Sequence, residues 1–302
     1  METAFGSVRS VGPCIRRRTR GFPAQFRKQQ DMNDQASDIR LTMVLCAYGD
    51  NPFLEEAARS LVAQTVPVRL VIATSTPSDY IEGVAKKYSA SYRVNPERGG
   101  GIGADWEFAA SCADTPFVTI AHQDDVYFPE YAEEVLKAYE KAPDSLIVFT
   151  DQSDLVNGEF QAGRGYLRIK RLLLWPFFLK RSWRLKCVKR LTVCFGNAIC
   201  CPSVTYNIKR IGRLSFDRSF ASNLDWQKWI DLARTDGAFT YIPKCLMAHR
   251  IDAGTTTSEL IQSHGRYDED LRIFIGLWGR TIARILMCFY TRSYKMADAG
   301  RK

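Results

Sequence analysis

The feature that most constrains the fold is a regular alternation of apolar runs with amphipathic segments between residues 39 and 152. Five apolar runs have the length of buried strands: 39–48, 68–74, 91–95, 116–122 and 145–152. The segments between most of them carry apolar residues at helical spacing over roughly ten to fifteen positions. This alternation predicts an α/β fold with a mostly parallel, Rossmann-like sheet flanked by helices.

The net charge of +9 is distributed unevenly along the 302 residues. Residues 31–159 contain 22 acidic and 9 basic side chains, whereas residues 160–190 contain 10 basic and no acidic ones. Because the positive charge is divided among separate segments, it does not define one basic face. No nucleic-acid-binding motif accompanies the basic segment, so the sequence does not predict a nucleic acid as the partner.

The N-terminal segment, the cysteines and the longest apolar run bear on where in the cell the protein lies. Residues 1–36 are basic and lack periodicity, which predicts a disordered tail, and we expect Met32 to be the native start. The nine cysteines lack metal-ligand spacing and stand mostly in apolar runs, which indicates buried reduced thiols and a cytoplasmic protein. The longest apolar run, 172–179, is far shorter than the roughly 20 residues of a membrane span.

Two adjacent carboxylates, Asp124 and Asp125, follow the fourth predicted strand. Ligands of open α/β sheets bind beyond the carboxyl ends of the strands. Neighbouring carboxylates repel each other unless a cation or hydrogen-bond donors neutralise them, and a divalent ion shared with a diphosphate does so well. The alternative is that the pair caps the following helix. The pattern favours a metal site.

Four segments resemble, in order and spacing, the inverting glycosyltransferases of family 2, which have the GT-A fold. They are "LTMVLCAYGDN", "GGGIGADWEFAAS" followed by "FVTIAHQDDVY", "SNLDWQKW" and "HRIDAGTTTS". The resemblance covers about residues 39–260. It implies a nucleotide-sugar-binding half over 37–160 and an acceptor-side half over 161–260, which contains the basic apolar segment 166–190. Amphipathic helices are expected over 261–302.

The resemblance implies roles for residues at the donor side. Asp125 would be the direct metal ligand, and Asp124 would face the ribose or the sugar of the donor. Ala47 and Tyr48, with Asp50 nearby, would line the nucleoside pocket. Gln123 stands in the first position of the DxD-type motif.

The resemblance also implies the catalytic base and the closing loop. Asp225 would deprotonate the acceptor hydroxyl. The family's acidic turn after the second strand is absent, which leaves Thr74, with Ser75 and Thr76, as hydrogen-bond donors to the nucleotide. The metal-binding histidine of the family falls at Asp252, whose carboxylate also suits Mg²⁺ or Mn²⁺. His249 is the alternative ligand or, as we favour, a buried histidine, and Arg250 is either a diphosphate clamp or a surface arginine.

The implied activity is the metal-assisted transfer of one sugar, with inversion, from a UDP- or GDP-sugar. The acceptor would be a polysaccharide or a lipid-linked glycan. A degenerate GT-A domain that binds nucleotide-sugar or nucleic acid without catalysis is the alternative, and metal-dependent nucleotidyl transfer is a weaker one. Segment 166–190, with 271–290, would either contact the anionic inner face of a membrane or pack on protein.

Overall fold

A computed structural model describes residues 39–162, 165–251 and 265–298, with the side chains of the last stretch described as far as Thr291. The chain divides into two units, Met1–Asp38 and Ile39–Lys302. The predictions for the tail and Met32, and the prediction for Asp252, concern residues outside the described ranges.

One sheet contains the nine strands of the described residues. They are β1 Leu41–Ala47, β2 Arg69–Thr74, β3 Ser91–Val94, β4 Phe117–His122, β5 Val126–Tyr127, β6 Ser145–Val156, β7 Glu159–Gln161, β8 Val204–Asn207 and β9 Ala238–Arg250. The helices are α1 Leu54–Val62, α2 Asp79–Lys87, α3 Gly101–Ser111, α4 Tyr131–Lys141, α5 Gly165–Leu173, α6 Lys186–Cys194, α7 Ile208–Ile211, α8 Leu224–Ala233 and α9 Gly265–Asp298. Short 3₁₀ helices occupy Trp175–Phe178, Lys180–Arg184 and Cys201–Ser203.

The strand order is β3-β2-β1-β4-β8-β6-β9-β5, with β7 beside β6. The pairs β3–β2, β2–β1, β1–β4 and β6–β9 are parallel, while β8, β5 and β7 pair antiparallel with their neighbours. The predicted α/β fold is confirmed, and the sheet is mixed rather than mostly parallel. Apolar periodicity indicates that a segment is a strand, but it does not encode the direction of pairing.

Helices cover both faces of the sheet because alternate strand residues point to opposite sides. In β1, Val44 belongs to one apolar cluster, whereas Met43 and Leu45 belong to the other. Helix α1 packs on the second cluster through Leu54, Ala57, Ala58 and Leu61, which have the spacing of one helical face.

The directions of the strands determine at which edge of the sheet the candidate site lies. Strands β1, β2, β4, β6 and β9 run the same way, so their carboxyl ends meet at one edge of the sheet. Strand β5 pairs with β9 through Val126 and Ala248. This pairing brings Asp125, at the start of β5, against the end of β9.

The last helix is interrupted. Gly279 has φ 74° and ψ 167°, which breaks α9 into two helical pieces. By length and composition alone, Gly265–Thr291 is the one helix in the described ranges that could cross a membrane, and only 22% of its apolar window is buried.

Candidate active site

Asp125 is a fully buried carboxylate at the carboxyl edge of the sheet. Its Oδ1 accepts a hydrogen bond from the backbone N–H of Arg250 (3.0 Å) and lies 3.0 Å from His249 Nδ1. Its Oδ2 lies 3.9 Å from His122 Nδ1 and accepts no hydrogen bond from the residues the structure describes. Burial raises the pKa of Asp125, but His249, His122 and the Arg250 N–H outweigh burial and lower it. Asp125 is therefore an ionised carboxylate with one oxygen available.

Asp125 belongs to a cluster that fits a divalent ion. One ligand atom from each of His122, Asp124 and Asp125 lies within 4.8 Å of the others. Burial and the charge of Asp125 raise the pKa of Asp124. Burial lowers the pKa of His249, but the negative charges of Asp125 and Asp124 raise it by a larger amount, and the resulting pKa is about 9. The two carboxylates thus attract positive charge, and oxygen ligands with an imidazole suit Mn²⁺ or Mg²⁺.

Gln123 ties the ends of two strands together. Its Oε1 accepts a hydrogen bond from the N–H of Tyr48 (2.8 Å), and its Nε2 donates one to the carbonyl of Tyr48 (3.1 Å). The Tyr48 side chain is 66% exposed, so its ring is free to stack on a nucleobase. Gln123, which stands where the family pattern has an acid, therefore fixes the backbone of Tyr48 beside the carboxylate cluster.

The other predicted donor residues lie at neighbouring strand ends. Ala47 and Thr74 are register partners across β1 and β2, and both are buried. The Thr74 hydroxyl accepts a hydrogen bond from the N–H of Thr76 (3.0 Å). Asp50 accepts a hydrogen bond from the hydroxyl of Ser78 (2.6 Å), which also caps α2. The structure thus brings Ala47, Asp50 and Thr74 to one rim beside Tyr48.

Asp105 is an acid near the carboxylate cluster, and it lies beyond the first turn of α3 rather than in that turn, where the sequence pattern predicts it. Its Oδ2 accepts a hydrogen bond from Ser75 Oγ (2.9 Å), and its Oδ1 accepts one from Asn95 Nδ2 (2.9 Å). The next residue, Trp106, stacks on His122 with ring centroids 5.4 Å apart. Helix α3 therefore connects the ends of β2 and β3 to the carboxylate cluster.

Asp225 is buried in the first turn of α8, at 8% exposure. Its Oδ2 accepts a hydrogen bond from Asn197 Nδ2 (2.8 Å), and its Oδ1 accepts one from the N–H of Trp226 (2.7 Å). Burial raises the pKa of Asp225 more than these partners lower it. After burial, the carboxylates of both Asp125 and Asp225 raise the pKa of the Cys200 thiol. Asp225 is therefore a buried, hydrogen-bonded carboxylate with a raised pKa.

Helix α9 holds the entry to α8. The Glu269 carboxylate accepts hydrogen bonds from the backbone N–H groups of Ala221, Ser222 (2.9 Å) and Asn223 (3.0 Å), and from the Ser222 hydroxyl (2.7 Å). Asn223 Nδ2 donates to Asp270 (2.6 Å). These contacts join residues that are 46–48 positions apart in the chain, so no local sequence pattern predicts them.

Arg250 is buried beside the cluster, and its guanidinium is engaged by the protein. Its Nε donates to the carbonyl of Asp124 (2.8 Å), one terminal nitrogen donates to Glu56 (2.5 Å), and the group lies 3.9 Å from the Phe53 ring centroid. A diphosphate would have to compete with Glu56 for this side chain, so its predicted role as a clamp stays a prediction. His249 has Asp125 as its partner, and its side chain is 29% exposed, so the structure shows a half-buried histidine where we expected a buried one.

Residues 42–208 match the family model for glycosyl transferase family 2. No curated protein matches the sequence significantly. Similar solved structures include S. aureus TarS 1-349, with a TM-score of 0.56 and 12% identity over 78% of this chain and 64% of that one. The chain therefore spans less than two thirds of TarS 1-349.

Two other similar structures were solved with ligands. The mannosyltransferase PcManGT from Pyrobaculum calidifontis, in complex with GDP-Man and Mn²⁺, has a TM-score of 0.55 and 12% identity over 83% of this chain and 70% of that one. Glucosyl-3-phosphoglycerate synthase from Mycobacterium tuberculosis, in complex with Mg²⁺ and UDP, has a TM-score of 0.50 and 14% identity over 83% of each chain. At these identities the likeness shows a shared fold.

Proposed function

This chain belongs to glycosyl transferase family 2 and has its GT-A fold, and from that premise we propose that it transfers a single sugar from a nucleotide-sugar to an acceptor hydroxyl. The observation that carries the proposal is the placement of Asp125 and Asp225. Both are buried, hydrogen-bonded carboxylates, and their pKa values shift in opposite directions. Two carboxylates with divergent pKa values suit two different chemical roles.

The proposed donor is a UDP- or GDP-sugar. A TarS 1-349 structure contains UDP-GlcNAc, and the PcManGT structure contains GDP-Man. In this chain the exposed ring of Tyr48, with Ala47, Asp50 and Thr74, would receive the nucleoside. Asp124 would face the ribose or the sugar, since it adjoins the metal candidate.

Mn²⁺ or Mg²⁺ is the proposed cofactor. Asp125 would be the principal ligand because it is ionised and has one unused oxygen, and His122 and Asp124 complete the cluster. Asp252 remains a proposed further ligand, with His249 as the alternative. When bound, the ion supplies positive charge that stabilises the nucleoside diphosphate as it leaves.

Asp225 is the proposed general base. Its carboxylate takes the proton of the acceptor hydroxyl while the hydroxyl oxygen forms a bond to the anomeric carbon of the donor sugar. The bond from that carbon to the diphosphate breaks with its electron pair remaining on the diphosphate. A single displacement of this kind inverts the configuration of the anomeric carbon. The raised pKa of Asp225 brings it closer to the operating pH, where a base works best.

The test is release of UDP or GDP from a panel of nucleotide-sugars, with and without Mn²⁺, in the wild type, Asp125→Ala and Asp225→Asn. We expect release from one donor class, metal dependence, and loss of transfer in both variants. Binding of a donor without release would identify a non-catalytic domain. Unchanged transfer by Asp225→Asn would remove the base assignment.

The acceptor is proposed to be a polysaccharide or a lipid-linked glycan, assembled at the cytoplasmic face of a membrane. Cytoplasmic location is supported by the eight cysteines of the described residues, all of which are unpaired.

A further inference from the structure

We propose that residues 165–195 and 265–291 form one docking surface for an anionic lipid bilayer, here called the basic apolar surface. The inference rests on the proposed function in one respect: the bilayer would present a lipid-linked acceptor to Asp225. Four observations carry it: the exposed apolar side chains, the unpaired cations, the break in α9, and the contacts of this surface with the base.

Exposed apolar side chains are concentrated on this surface. Thirteen of the seventeen large apolar side chains exposed in the described residues belong to it. They are Ile169, Leu172, Trp175, Phe178, Leu179, Leu185, Leu191, Phe195, Tyr267, Ile275, Ile282, Ile285 and Phe289. Soluble monomers rarely expose apolar groups in such concentration unless a partner covers them.

The two segments meet directly. Trp278 Nε1 donates a hydrogen bond to the carbonyl of Cys194 (2.7 Å), and the Trp278 ring lies 5.2 Å from the Phe195 ring, centroid to centroid. Residues more than 80 positions apart thus build one continuous region.

The structure separates structural cations from available ones. Four of the nine Lys and Arg residues in 166–190 are engaged within the protein: Arg171 with Asp151, Arg184 with Asp144, Lys186 with Asp236, and buried Lys189 with the carbonyls of Thr235 and Gly237. Six exposed cations on the basic apolar surface form neither an ion pair nor a side-chain hydrogen bond with a described residue: Arg168, Lys180, Arg181, Arg190, Arg280 and Arg284. Residues 160–190 and 271–297 contain no acid at all. Exposed cations among apolar side chains match the charge and the apolar interior of an anionic leaflet.

The break at Gly279 favours a helix that lies on the membrane over one that spans it. The piece before the break, 265–278, is about 21 Å long, which is shorter than the roughly 30 Å hydrocarbon core. Phe274 and Met287, one on each side of the break, are buried in the protein core. Both pieces are therefore held against the protein and present their other side outward. Trp175, at 64% exposure, is an aromatic residue of the kind enriched at the membrane interface.

The basic apolar surface is joined to the base. Gly196, at φ 154°, packs so closely that a Cβ there would lie 2.8 Å from the Tyr290 ring. The Tyr290 hydroxyl accepts a hydrogen bond from the N–H of Asn197 (3.4 Å), whose side chain donates to Asp225. The Tyr290 ring also stacks on Trp226, 5.8 Å away. An acceptor anchored in a bilayer at this surface would therefore be held near Asp225.

The test is co-sedimentation of the full chain with POPC vesicles and with POPC vesicles containing POPG. Lys180→Gln, Arg181→Gln and Arg190→Gln are combined in one variant. Its matched control combines Arg59→Gln, Lys86→Gln and Arg93→Gln, exposed cations on α1, α2 and β3. Each basic residue near an anionic leaflet strengthens binding about five-fold, so three should account for about 100-fold. We expect the wild type and the control to bind POPG vesicles equally, and the first variant to bind far more weakly.

The apolar contribution has its own readout. Tryptophan emission should shift to the blue when POPG vesicles are added, and Trp175→Phe should reduce that shift. Leu172→Ser combined with Leu179→Ser should weaken vesicle binding in the same way as the charge variant.

Two results would overturn the docking surface. One is no binding to POPG vesicles, or equal binding by the charge variant and its control. The other is a dimer in sedimentation velocity that Leu172→Ser with Leu179→Ser dissociates, since a second copy of the chain would then cover these side chains. Hydrolysis of the donor without vesicles should be the same in the wild type and the charge variant. Vesicle binding without any donor turnover would reject the proposed function and leave the docking surface intact.

Discussion

Replacing Asp225 by asparagine should separate catalysis from folding. The Asp225 Oδ1 that accepts from the Trp226 N–H has an equivalent amide oxygen in the variant. The Oδ2 that accepts from Asn197 Nδ2 becomes an NH₂ group, which cannot accept a hydrogen bond. Asn197 Oδ1 is buried and accepts no hydrogen bond from the described residues. A rotation of the Asn197 amide would let this oxygen accept from the new NH₂ group and restore the pair.

The expected magnitudes follow from this geometry. Exchange of one hydrogen bond for another should change the free energy of unfolding by no more than about 1 kcal/mol. The variant also removes a buried negative charge that acts on Arg266. Arg266 still has the Asp270 carboxylate as a neighbour in the variant, so it is not left without an acidic partner. Loss of a general base should slow transfer by about 10²–10⁴, or about 3–5 kcal/mol in the activation free energy.

The assay combines urea unfolding, donor affinity in the presence of Mn²⁺, and the rate of sugar transfer. We expect the first two to match the wild type and the third to fall. Asp231→Asn on the same helix is the control, because that carboxylate is 45% exposed, and it should leave all three unchanged. Transfer by Asp225→Asn within about ten-fold of the wild type would refute the reasoning.

Three further predictions concern the metal, the support of α8 and the pH dependence. Asp125→Asn should abolish the Mn²⁺ dependence of donor binding and slow transfer by about 10²–10³, measured by Mn²⁺ titration and product release; an unaltered Mn²⁺ response would contradict it. Glu269→Gln should lower the free energy of unfolding by about 1–3 kcal/mol, because one amide oxygen replaces a carboxylate that accepts hydrogen bonds from three backbone N–H groups. It should also reduce kcat while the donor affinity stays unchanged. Equal urea midpoints for the variant and the wild type would contradict this prediction. Burial raises the pKa of Asp225, and a general base must be ionised to accept a proton. In the acidic range kcat should therefore rise with pH, with a midpoint above the ordinary Asp pKa of about 3.9. This rise should be missing from the pH profile of Asp225→Asn.

The residues at the carboxyl edge of the sheet, where we propose that the donor binds, could be predicted from the sequence because their signals are local. Apolar runs mark β1, β2 and β4, and the polar residues that follow them must meet wherever those strands run parallel. Asp124 and Asp125 stand directly after β4, so their position at this edge follows from the strand alone. The direction of β8 and β5, which have no distinctive periodicity, did not follow in this way.

Other parts of the site depend on residues far apart in the chain. Asp105 connects Ser75 with Asn95, and Trp106 stacks on His122, through contacts that only the packing of α3 on the sheet creates. The sequence shows the basic residues of 166–190 as equivalent. The structure shows that Lys189 is buried against two carbonyls, whereas Lys180 is exposed.

The sequence by itself determined the alternation of strands and helices, the carboxylates after β4 and the concentration of charge in 166–190. These are properties of neighbouring residues, and backbone periodicity makes them readable. Only the tertiary structure decided that Asp225 is held by Asn197 and that Glu269 anchors the start of α8. It alone also joined two distant segments into the basic apolar surface. These contacts span tens of residues, and their free energy appears only when the chain has folded and brought the partners together.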